Sequence, residues 1–224
     1  MKNVALIPAY NEEKNILEII DKTKKLRKFN KIIVIDDGSK DRTAELAKKA
    51  GAIVIRHEKN KGKGEALKTG FNYISKIRDI KNIVIIDADL QYEPKEALKL
   101  LKALESADLV MGYRDFSKLP FRHKLGNFVW KTSFNLFFGT RLNDTNCGLI
   151  ALKAVSIKKM NVHGGYIIEN SMLASAVENN LKIKQVFVNV NYKKISGIKR
   201  GIKTVLGVFV YIFKEGIKYR LNIS

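Results

Sequence analysis

The sequence predicts an α/β fold in which a mostly parallel sheet is flanked by helices. Two observations carry this. Short apolar runs alternate with helix-like stretches of roughly 10–15 residues through the first half of the chain, the pattern of βαβ units. One of these runs, Ile83-Val84-Ile85-Ile86, leads straight into Asp87-Ala88-Asp89-Leu90-Gln91. A short continuous apolar run reads as a strand buried on both faces, and ligands of open α/β sheets bind beyond the carboxyl ends of such strands.

The elements follow in order. Residues 3–8 form a short apolar strand, and Ala9-Tyr10-Asn11-Glu12-Glu13 turns into a helix with Asn11 as its expected N-cap. Residues 31–36 are a second strand, ending in the polar loop Asp36-Asp37-Gly38-Ser39-Lys40-Asp41-Arg42 before a helix over 43–50. A third strand over 52–56 precedes Asn60-Lys61-Gly62-Lys63-Gly64, which opens a helix running to about residue 77. The fourth strand covers 82–87. Pro94 starts the next helix, where its missing N–H is harmless, and 108–112 is a fifth strand. After Gly112 the rhythm changes: a loop and a helix within 113–140, an edge strand at 148–152, a helix over 167–179, a strand over 181–191 and a final segment over 201–220. The division expected near 112 separates a nucleotide-binding half (1–112) from an acceptor-handling half (113–200) within one domain, with 201–224 as an appended segment.

With 224 residues and 46% hydrophobic residues, the chain can bury a real core. A formal charge of +20 implies an anionic partner: a nucleic acid, a phosphorylated substrate or an acidic membrane surface. Cys147 is the single cysteine, so an intrachain disulfide is excluded. Residues 1–10 lack the layout of a signal peptide. The apolar run 205–213 is too short to span a bilayer, which needs about 20 residues.

Asp87 and Asp89 are the central candidates. If the chain stays extended past Ile86, both carboxylates point to one side. Two such groups repel, and a hard divalent cation relieves the conflict, taking one or two carboxylates plus water and phosphate oxygens. The competing reading is a helix N-terminus that gathers acids to suit its dipole. Gly62 and Gly64 admit close backbone approach at a helix N-terminus, but the loop is neither a Walker sequence nor a dinucleotide fingerprint. Asp36 and Asp37 either face a ligand or cap the helix that starts at Thr43.

Pro8-Ala9-Tyr10-Asn11-Glu12, Asp36-Asp37-Gly38-Ser39, Asn60-Lys61-Gly62-Lys63-Gly64 and Asp87-Ala88-Asp89-Leu90-Gln91 stand in that order. Together they resemble the inverting family 2 glycosyltransferases with the GT-A fold, a Rossmann-like sheet. More narrowly, they look like the polyprenyl-phosphate sugar synthases. Gly112-Tyr113-Arg114 resembles the family's Gly-Ser-Arg, and Asp144-Thr145-Asn146-Cys147-Gly148 its Asp-Thr-Gln-Ser-Gly. Glu169 falls where the family carries an acid. Lys194-Ile195-Ser196-Gly197-Ile198-Lys199-Arg200 resembles the Arg-x-x-Gly-x-Ser-Lys loop, with Lys as a point charge where Arg offers a fork.

The resemblance implies roles. Pro8, Ala9, Tyr10 and Glu12 line the base and ribose pocket, with Asp37 on the base or ribose. Lys63, Asp87, Lys194 and Arg200 contact the donor. Asp89 and Gln91, with Asp87 sharing, hold Mg²⁺ or Mn²⁺. Arg114 and Arg122 hold the acceptor phosphate. Glu169 is a candidate general base. His163 is either a base or a structural loop histidine, and Cys147 a small buried residue.

A sugar hydroxyl acceptor needs a positioned base. A phosphate monoester, with a second pKa of about 6, is already nucleophilic at neutral pH and needs positive charge around it instead. The expected reaction is therefore inverting transfer from a nucleotide-diphosphate sugar (GDP-mannose, UDP-glucose or UDP-N-acetylglucosamine) to a polyprenyl or dolichyl phosphate. Extension of a saccharide chain is the alternative. A nucleotidyltransferase would show a glycine-rich loop with Arg after the first strand, which Pro8-Ala9-Tyr10-Asn11 lacks. A nucleic-acid partner is not expected, because the acidic pairs would repel phosphate. Ile202, Val205, Leu206, Phe209, Ile212, Phe213 and Ile217, set among basic residues, suit an amphipathic helix on an anionic membrane surface, or else a helix packed on the domain. Trp130, Phe134, Phe137 and Phe138 fit either a core or a membrane interface. The expected location is peripheral, on the cytoplasmic face of the cell membrane.

Overall fold

The computed structural model describes residues 2–118, 121–160, 167–191 and 202–221, with the side chains of 118, 121–123 and 202–205 left out of the description. Seven strands form one sheet: β1 (Lys2–Ala9), β2 (Lys31–Asp36), β3 (Ile53–Arg56), β4 (Ile80–Ile85), β5 (Leu109–Tyr113), β6 (Ile150–Lys153) and β7 (Ile183–Phe187). The helices are α1 (Ile16–Lys25), α2 (Thr43–Lys49), α3 (Lys63–Ser75), α4 (Ala97–Ala103), α5 (Phe121–Phe138), α6 (Ala154–Ile157), α7 (Ile168–Glu178) and α8 (Ile202–Leu221).

The strand order is β3-β2-β1-β4-β6-β5-β7. β1 pairs in parallel with β2 and β4, and β2 with β3. β6 runs antiparallel between β4 and β5, and β7 closes the far edge in parallel with β5. The expected fold class is therefore present, including a C-terminal helix. The central strands are apolar on both faces, with Val4–Ile7, Ile33–Ile35 and Ile83–Ile86 fully enclosed, as a sheet covered on both sides requires.

Three sequence expectations need correction. Asn11 does not cap α1, which begins at Ile16 behind Asn15. Asn11 instead has a left-handed backbone (φ 55°), and its side chain accepts from the Lys40 N–H at 2.9 Å. β4 ends at Ile85, two residues early, because a turn begins past Ile86. The strand near 148–152 is interior rather than an edge. Its Leu149–Leu152 run is buried throughout, which suits a strand flanked on both sides. Of the two readings of the aromatic strip, the core one holds: Trp130, Phe134 and Phe138 are each at most 3% exposed, and Phe137 is partly buried against the core.

α8 packs on α5. Phe137 meets Phe213 edge-to-face at 5.4 Å, and Arg220 donates to the Phe137 and Leu136 carbonyls at the end of α5. Val208 and Ile212 face inward, while Leu206, Val210 and Phe213 are exposed. The helix thus has an inner face packed on the domain and an outer apolar face. No helix among the described residues is long and apolar enough to cross a membrane.

Candidate active site

The site lies where the carboxyl ends of β2, β1 and β4 come side by side. Their parallel register brings the loops after Ala9, Asp36 and Ile85 to one rim. These loops are stitched together by short polar side chains. The Asn11 N–H donates to Ser39 Oγ at 2.9 Å, Glu12 N–H to Thr43 Oγ1 at 2.8 Å and Glu13 N–H to Asp41 Oδ2 at 3.1 Å. Asp37 N–H donates to the Ala9 carbonyl at 2.8 Å. Neither Asp36 nor Asp37 caps α2, whose first N–H, that of Thr43, donates to Asp41 Oδ1 at 3.0 Å.

Pro8 and Ala9 are buried at the end of β1, while Tyr10 is 41% exposed at the rim. Glu12 accepts from Asn15 Nδ2 at 2.7 Å. Asp37 is buried and accepts three hydrogen bonds: from Lys61 N–H (2.9 Å), Gly62 N–H (2.7 Å) and His57 Nδ1 (2.7 Å). It therefore shapes the loop before α3, where Gly62 takes φ +89° and turns the chain so that Lys63 opens the helix. His57 lay outside the sequence expectations. A carboxylate only accepts, so the ring carries a proton on Nδ1, and Nε2 lies 2.9 Å from Thr69 Oγ1. A lone histidine 20 residues from its partner leaves no local signal.

Lys63 reaches across the site. Its Nζ lies 2.7 Å from Asp87 Oδ1 and 2.8 Å from Glu169 Oε1 in the first turn of α7. Burial acts to lower its pKa, but the two carboxylates outweigh that and hold the ammonium charged above the ordinary lysine range. Asp87 is pushed up by burial and pulled back by Lys63. Gly148 lies against it: a Cβ at that position would be 2.0 Å from Asp87 Oδ2.

Asp87 and Asp89 do not sit on one extended strand. The chain turns between them, with Leu90 buried in a left-handed conformation (φ 58°), the kind of local strain that functional sites hold. Asp89 Oδ1 accepts from Gln91 N–H at 3.0 Å. Burial, and then the neighbouring Asp87, push the Asp89 carboxyl up to about 6. A divalent cation fits this donor set. The oxygens are hard, and added positive charge relieves carboxylates that burial and mutual repulsion disfavour. Among the described residues no three acidic, histidine or cysteine groups form a cluster that holds a metal unaided, so the remaining ligands would be water and phosphate oxygens.

On the other wall, Arg114 makes a two-pronged ion pair with buried Asp144. Asp144 also accepts from Asn146 N–H at 2.9 Å, and its carbonyl accepts from Gln185 Nε2. Cys147 is buried, and its thiol is pushed up to about 12 by burial and then by Asp144, so it is a packing residue. Arg122 lies on α5, with its side chain outside the description. His163, Lys194, Lys199 and Arg200 lie outside the described residues.

A mostly parallel sheet with acids beyond the carboxyl ends of β1, β2 and β4, and an antiparallel strand between β4 and β5, has the GT-A architecture. The chain belongs to glycosyl transferase family 2, whose model matches residues 4–155. It is 35% identical to an uncharacterized protein of Methanocaldococcus jannaschii over 95% of this chain and 100% of that protein. It is 29% identical, over 92% of both chains, to the UDP-N-acetylglucosamine–dolichyl-phosphate N-acetylglucosaminyltransferase of Methanococcus voltae. Among solved structures, glucosyl-3-phosphoglycerate synthase from Mycobacterium tuberculosis, in complex with Mn²⁺, UDP and phosphoglyceric acid, superposes with a TM-score of 0.77. The match covers 97% of this chain and 78% of that one at 21% identity, a likeness of fold.

Proposed function

We propose that this glycosyltransferase moves a sugar from a nucleotide-diphosphate sugar to a polyprenyl or dolichyl phosphate, in an inverting, metal-dependent reaction. The observation that carries this reading is the Lys63–Glu169 ion pair at 2.8 Å. Glu169 is the acid at the acceptor wall that a hydroxyl acceptor would need as its base. A carboxylate held by an ammonium is a poor base, whereas a phosphate dianion brings its own nucleophilic oxygen. The name of the Methanococcus voltae relative supports the same acceptor class and makes UDP-N-acetylglucosamine the first donor to try; GDP-mannose and UDP-glucose complete the set.

In this reading Asp89, with Gln91, holds Mg²⁺ or Mn²⁺. When bound, the cation neutralises charge on the departing nucleoside diphosphate. Pro8, Ala9, Tyr10 and Glu12 bound the nucleotide, and Asp37 fixes the loop beneath it. Arg114 has one edge of its guanidinium held by Asp144, which aims the other edge at the acceptor phosphate. Arg122, Lys194 and Arg200 add positive charge around that phosphate and the diphosphate. The outer face of α8 rests on an anionic membrane surface at the cytoplasmic side, where the lipid acceptor is reached. Residues 1–112 serve the donor and 113–200 the acceptor.

The test is a transfer assay with purified protein, Mg²⁺ or Mn²⁺, a short polyprenyl phosphate and radiolabelled sugar nucleotides. Labelled lipid from one donor, abolished by EDTA, is the expected result. No labelled lipid from any donor, with labelled saccharide appearing instead, would sink the lipid-phosphate reading.

A further inference from the structure

We propose that Lys63 is an internal counter-cation that withholds Asp87 from a divalent metal in the free protein, so that the metal enters only together with the nucleoside diphosphate. The inference rests on the metal-dependent reading above and adds an order to it.

Asp87 Oδ1 is held by Lys63 Nζ at 2.7 Å. Gly148 crowds Asp87 Oδ2 on one side, where a Cβ would lie 2.0 Å from it. Asp89 Oδ1 accepts the Gln91 N–H at 3.0 Å. Asp87 Oδ2 and Asp89 Oδ2 accept from no described residue, but Asp87 is already paired with Lys63, which leaves Asp89 as the carboxylate of the two without a cation beside it. One monodentate carboxylate is a poor site for a hard cation, which seeks about six oxygens. A diphosphate supplies the missing oxygens and charge.

Lys63 is well suited to this role. It is a compact point charge with three donors on a flexible stem, placed at the first residue of α3 by the Gly62 turn. Glu169 holds it from the opposite side at 2.8 Å, so the ammonium is drawn to a fixed place between two acids. A metal competing for Asp87 would have to displace a paired, charged lysine and leave that lysine facing a second cation. The same pair ties α3 to α7, and so joins donor-side and acceptor-side walls through one atom.

The inference is read by metal binding itself, without turnover. Mn²⁺ binding is measured by electron paramagnetic resonance and calorimetry, with and without UDP or GDP. Wild-type protein alone is expected to bind Mn²⁺ weakly, and the nucleoside diphosphate to tighten it about tenfold or more, with the reciprocal gain in nucleotide affinity that linkage requires. Lys63→Met, which frees Asp87, is expected to bind Mn²⁺ alone about tenfold more tightly than wild type and to gain less from nucleotide. Asp87→Asn serves where Lys63→Met fails to fold. It is expected to keep nucleotide-dependent Mn²⁺ affinity within about threefold of wild type, less than the roughly 10–100-fold that losing even a hydrogen-bond partner of a metal ligand costs. Equal Mn²⁺ affinity with and without nucleotide, an unchanged Lys63→Met or loss of Mn²⁺ from Asp87→Asn would each overturn the role of Lys63 while leaving a metal-dependent enzyme. No Mn²⁺ binding even with nucleotide would overturn the metal reading and this inference together.

Discussion

Arg114 and Asp144 form a bidentate ion pair, with Nε 2.7 Å from Oδ2 and Nη2 3.1 Å from Oδ1. The two residues are 30 positions apart, on the strand end of β5 and the loop before β6, and the pair is nearly closed to water: 11% exposed for the arginine side chain and 1% for the aspartate. Removing one partner of such a pair strands the other. Asp144→Ala is therefore expected to destabilise the fold by about 3–5 kcal/mol, seen as a lower urea midpoint. Arg114→Lys keeps charge but loses the fork, and its loss of stability should be smaller than that of Asp144→Ala.

Asp89 illustrates a conflict between stability and function. Its carboxyl is raised from 3.8 to about 6, so between those values the folded state binds more protons than the unfolded chain. Stability then falls as pH rises through that window and stays lower above it. Asp89→Asn removes the penalty. At pH 7.5 without metal, the variant is expected to gain on the order of 1 kcal/mol, or ~2–4 °C in Tm, while sugar transfer drops to background. A variant with near-wild-type activity would show that Asp89 does not hold the cation.

The same group sets a pH limb. In the proposed reaction the ionised carboxylate is the metal ligand, so transfer activity should fall as pH drops through about 6. Since the cation competes with the proton, the limb should move to lower pH as Mg²⁺ concentration rises. A rate profile at two metal concentrations measures this.

Gly148 is fixed by its neighbour. The Cβ in Gly148→Ala would lie 2.0 Å from Asp87 Oδ2 and 3.2 Å from Lys63 Nζ. The expected outcome is a loss of about 1–3 kcal/mol in stability and a larger fractional loss of transfer activity, because Asp87 is pushed off Lys63. Thermal melts and initial rates separate the two effects.

The outer face of α8 gives a prediction independent of the chemistry. Val210 is 60% exposed and Leu206 55% exposed. Charge there should not disturb the inner packing of Val208 and Ile212. Leu206→Glu with Val210→Glu is expected to leave the melting temperature within ~1–2 °C, as surface changes do, yet to weaken flotation with anionic vesicles. Unchanged flotation would remove the outer face of α8 from the membrane reading.

Much of this was legible in local sequence, and the reasons are specific. β2 falls at residues 31–36, where it was expected, because an unbroken apolar run between polar loops has one good solution in a covered sheet. The rim of acids followed from strand ends. What local pattern does not carry is pairing at a distance. Lys63 and Glu169 are 106 residues apart, and neither residue's neighbours announce the other. Asp37 was expected as a ligand contact, but its bonds to Lys61, Gly62 and His57 depend on the end of β3 returning beside it. The strand expected at an edge over 148–152 is β6, which the sheet order places inside, between β4 and β5, and a strand's place in the order is not written in its own residues. Asn11 was read as a cap from its residue type. Its left-handed φ follows from a partner loop 29 residues later.

The late insertion of β6 has a consequence for how the chain is made. β4 is synthesised early, yet its outer edge finds its partner only when residues 150–153 arrive, after β5 and all of α5 have left the ribosome. β5 waits for the same strand on one side and for β7 on the other. Until then, two strongly apolar strands carry open hydrogen-bonding rims, which invite pairing with other chains. A nascent chain stalled near residue 112 is thus an unfinished sheet rather than a small finished domain. It should be a strong client for chaperones, and quality control at the ribosome would meet this protein midway through its length.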